Sequence, residues 1–348
     1  MLSIVLSCRK VEECMKKIIN ICNKLNYSGL NLDGDIISQL LERRGYRVYF
    51  NGHPYNIAGL PTIKKVYPKM FKYGLIFLSY LGVRRVSLNL HLECIYEKDI
   101  PLACKNIMIP NLEWLNDESF DLFSKMSLFI CKTKSAKVYF NGLGLPAVYT
   151  SFTSVSPNDS SYKQTPLSFV HIAGTSTEKG TVPLVKTWAK HSEWPTLTVL
   201  SRSVEHLKEF EVANIKLIDG YVPRKKLRRI QNESEIHLCL SEAEGFGHYI
   251  CEALGCGAIV VSVDGWPMNE LVQPERGILI KSRHTEKMSK ATRFFFDTAD
   301  LEKNIVELLT MKEDEMNKIK CNARSWFEEN ELFFEENFAS AIEHCIRS

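Results

Sequence analysis

Short β-branched runs alternate with amphipathic stretches along the chain, and a polar segment, VSPNDSSYKQTP at 155–166, divides the alternation in two. A parallel sheet imposes this pattern, because each crossover between parallel strands needs a covering helix. In the first half the expected strands are SIVLS (3–7), YRVYF (46–50), VSLNL (86–90), NIMIP (106–110), LFICK (128–132) and AVYTS (147–151). Met15, Ile18, Ile19, Cys22 and Leu25 fall at helical spacing, and DIISQLLERRG reads as a second helix that ends at Gly45. After the polar segment come SFVHIAG (168–174), TLTVLS (196–201), IKLIDG (215–220), EIHLCLS (235–241) and AIVVSV (258–263). A helical stretch from about Asn317 closes the chain. At 348 residues this predicts two α/β domains joined by a linker at 156–166.

The net charge of +3 is small for the length and does not demand nucleic acid or an anionic membrane as partner. The eleven cysteines are scattered from Cys8 to Cys345 without a C-x-x-C pair or a zinc-type Cys/His spacing. That usage points to buried thiols in a reducing compartment, so a cytoplasmic location is expected. MLSIVLSCRK has no basic residue ahead of its apolar run and reads as a strand rather than a leader. Apolar stretches such as GLIFLSYLGV (74–83) are about half of the roughly 20 residues a spanning helix needs.

The segment SEAEGFGHYICEALGCG at 241–257 concentrates chemistry. It follows a buried-strand pattern and leads into a helix, which places it at the strand's C-terminal end, the ligand-binding edge of open α/β sheets. Gly245 and Gly247 let a ligand approach the backbone closely, and the helix beginning near His248 directs unpaired N–H groups to the same place. Glu244 and Glu252 are two acceptors for hydroxyl groups on either side of that cradle. Phosphate between two hydroxyl-binding carboxylates describes a sugar nucleotide. The same residues also fit a solvated loop glutamate and a surface helix glutamate, since glycine-rich βα turns are common.

E-G-F-G-x-x-x-x-E-A followed by L-G-C-G-A-I-V-V resembles the E-x7-E signature of retaining GT-B glycosyltransferases of the family-4-like group. IKLIDGYVPRKKLRRIQNESEIHLCLSEAEGFG resembles the family's strand, Gly-x-Val-Pro turn, helix and strand leading into that motif. HIAGTSTEKGTVPLVKTWAK resembles its Lys-Gly loop, VDGWPMNELV takes the place of its Gly-rich turn, and SGLNLDGDIISQLLERRGYRVYF matches the opening helix and strand.

The resemblance implies two Rossmann-like α/β domains facing a central cleft, with the C-terminal helix crossing back to the first domain. The domains are then 1–155 (with a helix at about 325–348) and 167–324. It implies transfer of a sugar, with retention, from a nucleotide sugar to a hydroxyl acceptor such as a glycan, and it requires no metal or other cofactor. UDP- or GDP-sugars are favoured over ADP-sugars, no nucleic-acid partner is expected, and peripheral membrane contact stays open. Glu244 then contacts the donor sugar, and Gly245, Phe246 and Gly247 meet sugar and diphosphate. Glu252 holds the ribose and Lys179 faces the diphosphate. Val222 sits at the nucleobase turn, Gly29 matches the second glycine of an N-terminal pair, and His248 stands at the helix start. Thr175 and Ser176 occupy positions where many members carry a further basic residue. A catalytically silent relative and a GT-B epimerase or phosphorylase are the alternatives.

Other signals have plainer readings. Asp33-Gly34-Asp35 is a D-x-D whose position suits helix N-capping, RKKLRR (224–229) a solvated basic helix face, and GLGLP (142–146) a turn. His91, Glu93, Asn111 and Glu113 lie near expected strand ends and are acceptor candidates, although Asn111 and Glu113 equally suit helix capping.

Overall fold

The computed structural model describes residues 18–23, 29–51, 53–54 and 86–348, so the strand expected at 3–7 lies outside the described residues. The chain divides into two compact units, Met1–Ser151 with Phe333–Ser348, and Phe152–Leu332.

The first unit contains β1 (Ile18–Cys22), α1 (Gly29–Arg43), β2 (Arg47–Phe50), β3 (His53–Pro54), β4 (Val86–Glu93), β5 (Ala103–Pro110), β6 (Leu128–Cys131), α2 (Lys134–Gly142) and β7 (Ala147–Tyr149). Its sheet runs β3-β2-β1-β4-β5-β6-β7, parallel except where β3 pairs with β2. The helix expected around Ile18, Ile19 and Cys22 is instead strand β1. Ile19, Asn20, Ile21 and Cys22 are all fully buried, as in a central strand covered on both faces, and apolar residues on both faces of such a strand also fall at helical spacing.

Asn20, Asn89 and Asn106 occupy one register row across β1, β4 and β5. Asn20 Nδ2 donates to Asn89 Oδ1 at 2.9 Å, and Asn89 Nδ2 donates to Asn106 Oδ1 at 2.8 Å. His91 extends the row through Nε2 to Asn106 Oδ1 at 3.1 Å, and its Nδ1 accepts from the Tyr96 N–H at 3.1 Å. A buried polar row with satisfied partners fixes strand register, because slipping one strand would leave these amides unpaired. Beside it, Phe123, Phe129 and Phe140 pack with Met108 and Met126, the Phe129 and Phe140 rings stacking at 4.4 Å.

Helix α1 begins at Gly29, so Asp33 lies inside it and the expected N-cap is corrected. Asp33 is buried and its Oδ2 accepts from Lys132 Nζ at 2.9 Å, with each side chain about 5% exposed. A charge partner from β6's end thus serves this short polar residue inside the helix.

The second unit contains β8 (Thr165–Gly174), α3 (Thr181–Trp188), β9 (Leu197–Ser201), β10 (Ile215–Asp219), α4 (Arg224–Glu233), β11 (Ser234–Cys239), α5 (His248–Gly255), β12 (Ile259–Val263), α6 (Met268–Leu271) and β13 (Gly277–Ile280). A hairpin, β14 (Ser282–Met288) with β15 (Ala291–Phe296), follows, then α7 (Thr298–Thr310) and α8 (Glu313–Arg347). The six-stranded parallel sheet runs β10-β9-β8-β11-β12-β13, so strand order reverses between β8 and β11. Trp188 is fully buried against Phe169 and Trp194, and its indole N–H donates to the Pro195 carbonyl at 3.0 Å. The polar 155–166 segment is fastened to this unit: Asp159 N–H donates to Asn232 Oδ1, and Gln164 Nε2 to the Gly257 carbonyl. The basic run of α4 is solvent-exposed, with Leu227 and Ile230 half-buried. Helix α8 packs Phe327 against Gly255, where a Cβ would come within 3.1 Å of the ring, and its residues from Phe333 onward belong to the first unit. Of the described cysteines, Cys104 and Cys321 are exposed rather than buried.

Removing one partner of the Asp33–Lys132 pair takes a counter-charge from the other buried group. Lys132→Leu is therefore expected to lose about 3–5 kcal/mol of unfolding free energy. Asp33→Leu combined with Lys132→Leu should lose far less, as read from denaturant unfolding of the three proteins.

Candidate functional site

The reversal of strand order between β8 and β11 opens a crevice at their C-terminal ends, because the following loops leave toward opposite faces of the sheet. The loop after β8 carries Thr175, Ser176, Glu178 and Lys179 and enters α3; the loop after β11 carries Ser241 to Gly247 and enters α5. Both helices start on a glycine in the left-handed region, Gly180 at φ +63° and Gly247 at φ +105°, and neither N-terminus has a side-chain cap. A Cβ on Gly180 would lie 2.6 Å from the Leu240 carbonyl oxygen, and one on Gly247 would lie 3.1 Å from Leu271 Cδ1. Glycine is required at both positions for conformation and for space. Pro183 brings no N–H and the Ile250 N–H already bonds the Gly247 carbonyl at 3.0 Å, so the first-turn donors open to an anion are at most those of Thr181 and Val182 in α3 and of the first two residues of α5.

Lys179 and Glu244, from the two loops, form an ion pair in which each side chain is 15% exposed. The Lys179 ammonium lies 3.7 Å from the centroid of the Tyr249 ring, a cation–π contact. Ser241 Oγ hydrogen-bonds to the same Glu244 oxygen and lies 2.6 Å from the Tyr249 hydroxyl, while the Ser241 N–H donates to that hydroxyl at 3.1 Å. Burial raises the Tyr249 phenol well above its ordinary range, so it stays protonated and available as a donor.

Glu252, in α5, accepts from Gln231 Nε2 at 2.8 Å and from Ser154 Oγ at 3.2 Å. Ser154 Oγ is also 3.1 Å from His248 Nδ1. Burial holds the Glu252 carboxyl above the usual carboxylate range, opposed by His248 and these hydrogen bonds. Phe246 is buried edge-on against Phe152 and His248, so the middle of the Gly-Phe-Gly step anchors the loop; Gly247 is buried beside it and Gly245 is half-buried. Val222 lines a pocket of about 260 Å³ with Gly174, Leu200, Arg202, Tyr221 and Arg224, at the ends of β8, β9 and β10. The Arg202 guanidinium sits 4.7 Å from the Tyr221 ring centroid.

Thr175 is exposed on the loop after β8. Gly29 is the first residue of α1 in the first unit, and the acceptor candidates also lie in that unit. Glu93 ends β4 at φ +65° and accepts from Asn111 Nδ2 at 3.2 Å. Asn111 precedes a single 3-10 turn, Leu112–Trp114, without capping it through its side chain, and Glu113 in that turn is buried. His91 is not with them: it is wholly buried in the asparagine row, and burial lowers its pKa.

Sequence reasoning did not single out Tyr249, Ser241, Gln231 or Ser154. Tyr249 and Ser241 flank Glu244 in the quoted stretch and were open to notice. Gln231 and Ser154 reach Glu252 from elsewhere in the chain, through folding alone.

The model of the family described as "Glycosyl transferases group 1" matches residues 200–309, about a third of the chain. No curated protein matches the sequence. Sucrose-phosphate synthase from Thermosynechococcus elongatus superposes with TM-score 0.67 at 14% identity, over 95% of this chain and 98% of that one. Anabaena HepE in complex with UDP gives 0.65 at 14% identity, over 94% and 100%. The pneumococcal O-GlcNAc transferase GtfA in complex with UDP and GlcNAc gives 0.61 at 20% identity; the match covers 80% of this chain but only 60% of the transferase.

His171 and His237 support the crevice from within the sheet. His171 Nδ1–H donates to the Leu238 carbonyl at 2.7 Å, and its Nε2 lies 2.8 Å from Thr181 Oγ1 at the start of α3. Burial lowers both imidazoles to about 4 from 6.5. The unfolded chain therefore binds more protons than the folded one between these values. Their contribution is present above pH 6.5 and is lost as pH falls toward 4. The apparent Tm should accordingly fall across that window, and thermal unfolding at a series of pH values checks it. In fold, the chain is a GT-B protein: two parallel-sheet, Rossmann-like α/β domains with a helical C-terminus.

Proposed function

We propose that the protein is a retaining, metal-independent glycosyltransferase that moves a sugar from a nucleotide sugar to a hydroxyl acceptor. The observation that carries this reading is the Lys179–Glu244 pair, set between two uncapped helix N-termini on either flank of the strand-order reversal. The family match over 200–309 and the fold shared with HepE and GtfA, whose structures hold UDP, support a nucleotide-sugar donor.

In this reading the diphosphate lies against the first turns of α3 and α5 and draws Lys179 to itself. Glu244 turns to the hydroxyl groups of the donor sugar. Glu252 exchanges Ser154 and Gln231 for the ribose hydroxyls, and the base enters the pocket at Val222, with UDP or GDP favoured. The acceptor oxygen bonds to the anomeric carbon on the face that the diphosphate leaves, as the bond from that carbon to the phosphate oxygen breaks. The hydroxyl proton passes to the departing diphosphate. Negative charge grows on the leaving group and positive charge on the sugar ring. Lys179 with the helix ends answers the first, and the Glu244 carboxylate the second. Glu244 positions the donor and stabilises charge; it is not a nucleophile. Glu93, Asn111 and Glu113 remain the acceptor candidates, a glycan being the favoured class, and Gly29 and Thr175 are assigned to the donor. The protein's own cation and helix dipoles supply the charge that a metal provides in other folds, and the location is proposed as cytoplasmic.

Thermal-shift screening against UDP-, GDP- and ADP-sugars should raise Tm for at least one, and that donor should be hydrolysed slowly without acceptor. Glu244→Gln should keep its fold and lose about 10²–10³-fold in turnover, the size typical of removing one transition-state-stabilising group. Full activity in that variant would remove the assigned role, and binding without turnover in the parent would favour a silent relative.

A further inference from the structure

The β14–β15 hairpin stands apart from the six-stranded parallel sheet, yet β15 reaches the crevice. The Phe294 N–H donates to the Glu242 carbonyl at 2.8 Å, and the Glu242 N–H donates to the Glu178 carbonyl at 2.9 Å. The hairpin strand, the loop after β11 and the loop after β8 are thus joined by backbone hydrogen bonds. The Phe294 ring lies so close to Gly265 that a Cβ there would come within 2.2 Å, which seats the hairpin against the turn after β12. On this frame Arg293 Nη2 forms ion pairs with Glu242 and, at 2.6 Å, with Glu178. Glu178 immediately precedes Lys179, and Glu242 is two residues before Glu244. Burial holds the Glu242 carboxyl above its usual range, and the neighbouring Glu178 adds to this while the Arg293 guanidinium opposes it.

We propose that Arg293 is a positioning residue: by bridging Glu178 and Glu242 it holds together the loops that bring Lys179 to Glu244. Without the cation, Glu178 and Glu242 repel each other across the junction of the two loops, and the repulsion acts on the residues that place the pair. Both carboxylates meet one guanidinium nitrogen, Nη2, while Nη1 lies 3.9 Å from Glu286, so a lysine ammonium at this position keeps a cation between the pair but loses the further contact. The guanidinium is also steadied by the Phe295 ring, 4.9 Å from its centroid. The proposed consequence for catalysis rests on the glycosyltransferase reading; the consequence for geometry does not.

The test compares the full chain with Arg293→Ala, Arg293→Lys and, as a control on the exposed part of the same hairpin, Arg283→Ala. Lys179 is labelled with an amine acetylating reagent and its modification rate is read by peptide mass spectrometry. Loss of a charge-assisted contact that holds the pair should raise the Lys179 rate by about tenfold in Arg293→Ala. The rate should rise less in Arg293→Lys and stay at the parental value in Arg283→Ala. If Arg293→Ala does not fold, the comparison of Arg293→Lys with Arg283→Ala stands in its place. A folded Arg293 variant in which Lys179 labels at the control rate overturns the proposal. In parallel, UDP-glucose, GDP-glucose and ADP-glucose are titrated against all folded proteins. A parent that binds none of them removes the donor reading, while the labelling result still decides the position of Lys179. A parent that binds one of them should bind it more tightly than Arg293→Ala does, with partial rescue in Arg293→Lys.

Discussion

The second unit is organised around the parallel pairing of β8 with β11, two strands that meet where strand order reverses. Their following loops must diverge to opposite faces, and a crevice at the sheet's edge is the geometric result. The candidate donor residues on the two loops and on α5 are placed by that pairing, whereas Val222 follows β10. Lys179 leaves one strand and Glu244 the other, and they meet because the strands do. His171 reinforces the junction from inside, linking β8 to Leu238 near the end of β11 and to Thr181 at the start of α3. Held neutral by burial, it has one ring nitrogen to donate and one to accept, which matches its two partners.

The first unit solves a different problem. Its central strands are apolar on both faces, and apolar side chains alone set register weakly along a strand of nearly uniform composition. Asn20, Asn89 and Asn106 add a directional requirement across three strands, with His91 closing one end. The polar row and the buried Asp33–Lys132 pair make this unit's interior dependent on satisfied partners, so single replacements there carry larger consequences than apolar exchanges of similar volume.

Much of this was legible in the sequence, for physical reasons that differ by element. Strands such as NIMIP and AIVVSV announce themselves because β-branched runs bounded by polar residues have few other uses. Ile18 to Cys22 misleads because a strand buried on both faces places apolar residues at helical as well as strand spacing. The Asp33 misreading came from chemistry that is local in sequence but not in space: capping needs only a neighbour, whereas its partner Lys132 is brought in by the fold. Glu244 and the glycines were legible as candidates because a glycine-rich βα turn is local in sequence, whereas Lys179 was singled out by the family resemblance. The β14–β15 hairpin was not expected, because SRHTEKM is charged and exposed along its length and only pairing makes it a strand. Arg293 was invisible for the same reason.

One feature of the crevice bears on which molecules it admits. Lys179 and Glu244 already satisfy each other, so a ligand that engages only one of them leaves the other without its partner. An inorganic or nucleotide anion that attracts Lys179 abandons a carboxylate, and a free sugar that attracts Glu244 abandons an ammonium. On the proposed glycosyltransferase reading, a molecule presenting negative charge and hydroxyl groups together replaces both halves of the pair, so the site acts as a lock that requires two teeth on one key. On the same reading, a nucleoside diphosphate that has lost its sugar after transfer holds one half only, and re-forming the ion pair helps to expel it.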